Sequence, residues 1–137
     1  MSRVETTALI SRYLDAFNAK DFDAMLACLS DDVIHDINQV GREIGKEKFR
    51  WFNASMARHY DEELGDIAIM VDESGNRAAA EFTVRGSYLA TADGLPEANG
   101  QRYSLPAGIF FEIDDSLISR VSTSYNLNDW TKQVKAG

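Results

Sequence analysis

The stretch Val33-Ile34-His35-Asp36-Ile37-Asn38 places a histidine and a carboxylate inside an otherwise apolar strand. Such a carboxylate either lies at a sheet edge facing water or is held where water is scarce. Desolvation raises the pKa of a carboxyl group and makes it a better base near neutral pH. The rest of the chain therefore decides whether this strand lines a cavity.

The composition is typical of one folded domain spanning residues 1–137. The hydrophobic share of 45% is enough for a single core. The formal net charge of -8 argues against nucleic acid or a membrane surface as a partner, because both require basic patches. No run approaches the roughly 20 apolar residues of a membrane span. The first five residues lack the apolar core of a secretory signal.

The cysteine and histidine content argues against a metal or a cofactor. Cys28 is the only cysteine, so it cannot form an internal disulfide, and a reducing cytoplasm is the simplest location. We expect it to fill space in the core. His35 and His59 have no ligand spacing for zinc. The chain also has no phosphate loop and no dinucleotide fingerprint.

Apolar residues at three- and four-residue spacing predict three helices in the first half of the chain. The first covers residues 5–18, with Tyr13 on its buried stripe. The second follows Asp21 as its N-cap. The third covers residues 46–57, and the predicted strand 33–38 and a glycine-containing turn at 41–45 precede it.

The second half changes to a period of two, which predicts an antiparallel meander. A short terminal helix could begin at residues 128–130. Helices followed by antiparallel strands indicate an α+β fold, in which helices cover one face of a strongly curved sheet and enclose a pocket. The predicted strands are 64–71, 77–89, 102–113 and 117–127.

Three segments resemble the nuclear transport factor 2-like superfamily, and within it the ketosteroid isomerase and SnoaL-like polyketide cyclase branch. They are Arg12–Asp21, Leu29–Val33 and Gly41–Lys46, and the meander around Phe111–Asp114 and Ile118–Val121 also fits. The resemblance therefore spans nearly the whole chain and implies a cystatin-like cone. It implies function less strongly, because this fold carries isomerases, cyclases, hydrolases, dehydratases and binding proteins.

The resemblance also implies part of a catalytic site. Ketosteroid isomerase uses an aspartate base with an oxyanion hole made by a tyrosine and a protonated aspartate. By resemblance, Asp36 is the base and Tyr13 is the hydrogen-bond donor. The second acid has no counterpart, because its expected place is occupied by Gly108-Ile109-Phe110.

Strand alternation leaves two orientations open for the first strand. Either Ile34, Asp36 and Asn38 face the pocket, or Val33, His35 and Ile37 do. The resemblance favours the first, which gives His35 a structural role. Asn38 could then orient substrate or cap the turn. Tyr13 could act on substrate or bond a backbone carbonyl in the core.

Seven residues are predicted to line the pocket, with ordinary sheet packing as the alternative for Tyr88 and Tyr125. They are Ile34, Asn38, Phe82, Tyr88, Ile109, Phe111 and Tyr125.

The leading hypothesis is a cofactor-free enzyme that abstracts a proton next to the carbonyl of a small, mostly apolar substrate. Asp36 would be the base, and Tyr13 would donate to the developing enolate oxygen. The alternatives are a hydrolase or dehydratase of the same fold, and a non-catalytic binding or dimeric interaction module. The enzyme hypothesis requires Asp36 and Tyr13 to reach one cavity.

A homodimer is also expected. It would pair through the outer sheet face, which carries Glu81, Thr83, Arg85, Ser119, Ser122 and Ser124.

Overall fold

The computed structural model describes all 137 residues, and it confirms the predicted α+β layout. Four helices accompany one six-stranded sheet. The helices are α1 (Arg3–Asn18), α2 (Phe22–Ala27), α3 (Lys46–His59) and α4 (Leu127–Ala136). The strands are β1 (Leu29–Ile37), β2 (Gly41–Ile44), β3 (Tyr60–Val71), β4 (Arg77–Tyr88), β5 (Arg102–Asp114) and β6 (Leu117–Tyr125).

Local sequence explains where the helices begin. Ser2 and Glu5 form a capping box at the start of α1, in which each side chain bonds the other residue's backbone N–H. Asp21 caps α2 as predicted, accepting from the backbone N–H of Ala24. Gly45 precedes α3 with φ at 115°, a conformation that L side chains rarely adopt.

The sheet order is β2-β1-β6-β5-β4-β3. β1 runs parallel to β6, and every other neighbouring pair is antiparallel. β1 and β3 lie near opposite edges, yet α3 contacts both, so the sheet curves around the helices. A bulge between Gly65 and Ala68, with Asp66 at φ 54°, bends β3.

Several predicted boundaries are wrong. Residues 30–32, predicted to end the second helix, belong to β1, and the predicted turn at 41–45 contains β2, which pairs with β1. β3 begins four residues before the predicted position 64. The possible helix at 128–130 is a ten-residue helix, α4.

The core has two parts. The larger lies between α1–α3 and the inner face of the sheet. The smaller forms where α4 and the 89–101 loop pack on the sheet, and it consists of Tyr88, Tyr103, Leu105, Trp130 and Val134. None of the four helices combines the length and the hydropathy of a membrane span.

Candidate functional site

The orientation of β1 is the reverse of the favoured prediction. His35 lies opposite Val121 on β6, and Val121 lies opposite Phe111 on β5, so all three share the buried inner face. Asp36 lies opposite Ser122 instead, in the row that continues to the exposed Phe110. Asp36 and Ile34 are therefore on the outer face, and Val33, His35 and Ile37 face inward.

Asp36 is held in an ion-pair network on that outer face. Its carboxylate accepts from Arg42 Nε at 2.7 Å and Nη2 at 3.0 Å, and it lies 3.5 Å from Arg120 Nη1. The hydrogen bond from Arg42 lowers the pKa of Asp36. A carboxylate stabilised in its charged form is a weak base.

The predicted pairing of Asp36 with Tyr13 is therefore wrong. Tyr13 lies on the inner side, only 2% exposed, with its ring centroid 5.6 Å from that of Phe111. Burial raises the pKa of Tyr13. The sheet separates the two side chains, so they do not reach one cavity, and the enzyme hypothesis in the form that relies on Asp36 and Tyr13 fails.

The remaining predicted lining residues divide between the two core parts. Phe82, Ile109 and Phe111 are buried in the larger core. Tyr88 belongs to the smaller core, where its hydroxyl donates to Pro96 O at 2.7 Å and accepts from the N–H of Ala92 at 2.9 Å. Tyr88 therefore fastens the 89–101 loop.

Asn38 and Tyr125 lie together. The Asn38 amide donates to the Tyr125 carbonyl at 2.9 Å and accepts from the Tyr125 N–H at 3.4 Å. Asn38 thus ties the end of β1 to the end of β6, a role different from either predicted one. Tyr125 is half-buried and, like Ile109, on the inner face of the sheet.

A carboxyl group does lie on the inner face, on β3. Glu62 accepts a hydrogen bond from the Tyr103 hydroxyl at 2.5 Å. The two residues flank Gly86, which pairs with Glu62 on one side and with Tyr103 on the other. A Cβ at Gly86 would lie 2.6 Å from the Tyr103 hydroxyl oxygen and 2.9 Å from Glu62 Cγ. The missing side chain of Gly86 makes this contact across three strands possible.

Burial raises the pKa of Glu62, while the Tyr103 hydrogen bond and the charge of Lys20 offset part of the rise. Lys20 donates to the backbone carbonyl of Glu62 and lies 3.4 Å from the carboxylate of Asp61. The pKa of Glu62, on the inner face, is therefore raised, whereas that of Asp36, on the outer face, is lowered.

Two more tyrosines lie near enough to this carboxyl group to interact with its charge. Burial raises the pKa values of Tyr60 and Tyr125, and the negative charge of Glu62 adds to both. Tyr103 bonds Glu62 directly, and Tyr60 lies two residues before Glu62 on the same face of β3. Such an arrangement combines a proton acceptor with hydrogen-bond donors in a partly dry environment.

Sequence reasoning missed Glu62 because the strand was predicted to begin at Leu64. Extending its alternation backwards puts Glu62 and Tyr60 on the same face as the buried Leu64. The acidic run Asp61-Glu62-Glu63 conceals this pattern, since its two outer members are exposed and only Glu62 is half-buried.

A further titratable group on the inner face is His35, which is 4% exposed. Its ring lies 4.3 Å from the Phe49 ring and 4.6 Å from the Phe52 ring. Burial lowers the pKa of His35 to about 4, and its Nδ1 has no hydrogen-bond partner. No group of three or more histidine, cysteine, aspartate or glutamate side chains is placed to hold a metal ion.

A family model and several solved structures point to the same group of relatives. The family model described as a SnoaL-like domain matches residues 10–121. A candidate polyketide cyclase from Pseudomonas putida KT2440 is 55% identical, with 98% of each chain covered and a TM-score of 0.94. One from Silicibacter sp. TM1040 is 56% identical, with 94% of each chain covered and a TM-score of 0.93.

A third candidate polyketide cyclase, from Xanthomonas campestris pv. campestris, is 48% identical, covers 96% of this chain and 98% of its own, and has a TM-score of 0.94. A search of curated protein sequences gave no match.

Proposed function

Since this chain belongs to the SnoaL-like domain family, within the nuclear transport factor 2-like superfamily, we propose that it is a cofactor-independent enzyme that moves a proton next to a carbonyl group. Its substrate is a small, mostly apolar compound bound inside the cone. The observation that carries the proposal is Glu62, a carboxyl group on the inner face with a raised pKa and a 2.5 Å hydrogen bond from Tyr103.

The chemistry follows from the surroundings of Glu62. Its carboxylate removes the proton from the carbon beside the carbonyl, and the electron pair of that C–H bond moves to the carbonyl oxygen as an enolate. A base with a raised pKa transfers protons most effectively near its working pH. Tyr103 holds the carboxylate in place, while a hydroxyl of Tyr60 or Tyr125 donates to the enolate oxygen.

The test is proton exchange in Glu62→Gln. Wild-type protein in D₂O is incubated with a panel of β-keto esters and cyclic enones, and loss of the α-proton signal is followed by NMR. We expect the rate to fall by about 10²–10⁴-fold in Glu62→Gln, the usual contribution of a positioned base. Glu63→Gln is the matched control, because Glu63 is the exposed neighbour on the opposite face. Equal rates in wild type and Glu62→Gln would exclude Glu62 as the base.

The same experiment addresses the non-catalytic alternative. A wild-type protein that binds members of the panel, seen as shifted protein resonances, yet exchanges no proton would be a small-molecule-binding module of the same fold.

We also propose that the protein is a homodimer joined through the outer sheet face. No helix covers this face, and it exposes 53% of Phe110 and 52% of Met70. A groove of about 360 Å³ beside Phe110 is lined in part by Glu81 and Ser124, two residues of the predicted interface. Phe110 of one copy fits such a groove on the other, which is the reciprocal contact of a two-fold dimer.

The dimer proposal is tested by light scattering after size-exclusion chromatography at micromolar concentration. Wild type should show twice the mass of one chain, and Phe110→Asp should show a single chain with unchanged circular dichroism. A monomeric wild type would contradict the proposal.

A further inference from the structure

The free edge of β3 is held by the end of α1. β3 is the last strand of the sheet, so one of its edges has no neighbouring strand. The side chain of Asn18 takes that place at Leu64, where its Nδ2 donates to the carbonyl at 3.0 Å and its Oδ1 accepts from the N–H at 2.8 Å. One amide group thus satisfies both backbone groups of this edge residue, as a neighbouring strand would.

Lys20 makes a similar contact two residues earlier on the strand. Its ammonium group donates to the backbone carbonyl of Glu62, lies 3.4 Å from the carboxylate of Asp61, and lies 5.3 Å from the centre of the Phe17 ring. The φ of Lys20 is 60°, a left-handed conformation that a non-glycine residue keeps only when its surroundings hold it there. Strain of this kind concentrates at functional sites.

These contacts lie beside a reach that depends on the exact position of β3. The Glu62 carboxylate extends past Gly86 on β4 to the Tyr103 hydroxyl on β5, at 2.5 Å. The ladder between β3 and β4 is interrupted soon after, by the bulge between Gly65 and Ala68. Pairing with β4 alone therefore fixes this part of the edge strand weakly, and the bonds from Asn18 and Lys20 add the missing restraint.

Lys20 also influences the charge of the base. Burial is the largest influence on the pKa of Glu62 and raises it. The other titratable groups around the carboxyl group are Lys20 after α1, Tyr60 and Asp61 on β3, Tyr103 on β5 and Tyr125 on β6. Among them only Lys20 is positively charged. Its charge lowers the pKa of Glu62, whereas the negative charge of Asp61 raises it.

We propose that Asn18 and Lys20 are positioning residues of the site: Asn18 fixes the edge of β3, and Lys20 fixes the Glu62 backbone and places a positive charge near its carboxyl group. The inference deepens the proposed function and rests on it for the assignment of Glu62 as the base. Neither residue acts on the substrate directly. The end of α1 controls how Glu62 is aligned with Tyr103 and at which pH it is ionised.

The role of Lys20 is tested on the ionisation of Glu62, without any substrate. The carboxyl carbons of the full-length protein are labelled with ¹³C and their chemical shifts are followed against pH, with Glu62→Gln to assign the resonance. We expect the Glu62 titration midpoint to move to higher pH in Lys20→Met and to lower pH in Asp61→Asn. In Lys20→Arg, which keeps the charge, it should stay near the wild-type value.

Lys46→Met is the matched control. Lys46 forms an ion pair of similar length, 3.6 Å, with Asp31, and it is not among the groups that shift the pKa of Glu62. Its removal should leave the Glu62 midpoint unchanged. A midpoint that does not rise in Lys20→Met, or that rises equally in Lys46→Met, would overturn the role of Lys20.

The role of Asn18 is tested by proton exchange in Asn18→Ala, at a pH above the Glu62 midpoint of every variant, so that only alignment differs. We expect kcat to fall about 10- to 100-fold with KM near its wild-type value, because displacing a catalytic group by about 1 Å has an effect of this size. Asn18→Asp, which still accepts from the Leu64 N–H, should lose less.

Thr6→Val is the control for stability. The Thr6 hydroxyl donates to the Gly75 carbonyl at 2.6 Å and so ties the other end of α1 to the turn between β3 and β4, far along the strand from Glu62. It should lower stability in urea denaturation and leave kcat unchanged. If Asn18→Ala keeps the wild-type kcat, or if both variants lower kcat equally, Asn18 does not position the base.

Failure of this inference and failure of the proposed function give different results. If Glu62→Gln exchanges protons at the wild-type rate while Lys20→Met still moves the Glu62 midpoint, Glu62 is not the base, although Lys20 controls its ionisation. If Glu62→Gln loses exchange while Lys20→Met and Asn18→Ala behave as wild type, Glu62 is the base and the end of α1 does not position it.

Discussion

Mild acid should destabilise this protein through His35, and the size of the effect follows from its burial. An unfolded histidine binds a proton below about pH 6.5, whereas His35 in the folded chain, whose pKa is lowered to about 4, stays neutral until much lower pH. Between these values the unfolded state binds more protons than the folded state. Stability therefore falls as the pH drops through this window, and above it His35 causes no loss.

The linkage relation gives the magnitude. For these two pKa values, the folded state loses about 2 kcal/mol on going from about pH 7 to about pH 5, and about 3 kcal/mol by about pH 4. Solvent screening reduces this little, because His35 is only 4% exposed and packs against two phenylalanine rings.

His35→Phe isolates this contribution from other titrating groups. Glu62 has the opposite sign, since its raised pKa lets the folded state take up a proton first as the pH falls. Asp36, with a lowered pKa, acts only in stronger acid. The difference between wild type and His35→Phe removes both, because the two proteins share them.

The assay is urea denaturation of both proteins at several pH values between about 7 and 4. At neutral pH His35→Phe should be at least as stable as wild type, because it removes an unpartnered buried nitrogen. Its advantage should grow by about 2 kcal/mol at about pH 5. A difference that stays constant over this range would refute the reasoning, because it would mean that His35 takes up a proton in the folded state as easily as in the unfolded chain.

Three further substitutions test particular contacts. Gly86→Ala should destabilise the fold by about 1–3 kcal/mol in urea denaturation and reduce proton exchange, because its Cβ would meet the Tyr103 hydroxyl at 2.6 Å; wild-type behaviour in both would contradict this. Tyr88→Phe should cost about 1–3 kcal/mol and speed hydrogen exchange of the Ala92 amide, since the hydroxyl holds the 89–101 loop. Asp36→Asn should leave proton exchange unchanged and cost less than about 1 kcal/mol, because its ion pairs lie at the surface; a large loss of exchange would restore Asp36 as a candidate base.

The fold could be predicted because its determinants are periodic. The stripe of α1, the N-cap at Asp21 and the alternation of β4 to β6 all have local physical causes that the structure bears out. The short strand β2 could not be predicted in the same way. It is mostly exposed and begins at Gly41, so that only its pairing with β1 makes it a strand.

The site was harder to predict because it depends on the phase of a single strand. A shift of one residue moves every side chain of β1 to the other face. Local sequence did not fix this phase, since Ile34 and Ile37 offer an apolar residue to each side. What fixes it lies on other strands: Arg120 on β6, 84 residues beyond Asp36, and Arg42 on β2, six residues beyond it, both pair with Asp36 on the outer face.

The energetics of burial explain why this phase is selected. Burying an ionised carboxylate costs several kcal/mol unless it is paired, whereas a histidine can be buried neutral at a smaller cost. The observed phase pairs Asp36 with two arginines and buries His35, so the stretch 33–38 contributes a neutral imidazole to the interior. The carboxyl group of the interior comes instead from β3, the strand at the far end of the sheet order. In the proton transfer proposed above, the base therefore belongs to the strand at the edge of the sheet opposite to β1 and β2.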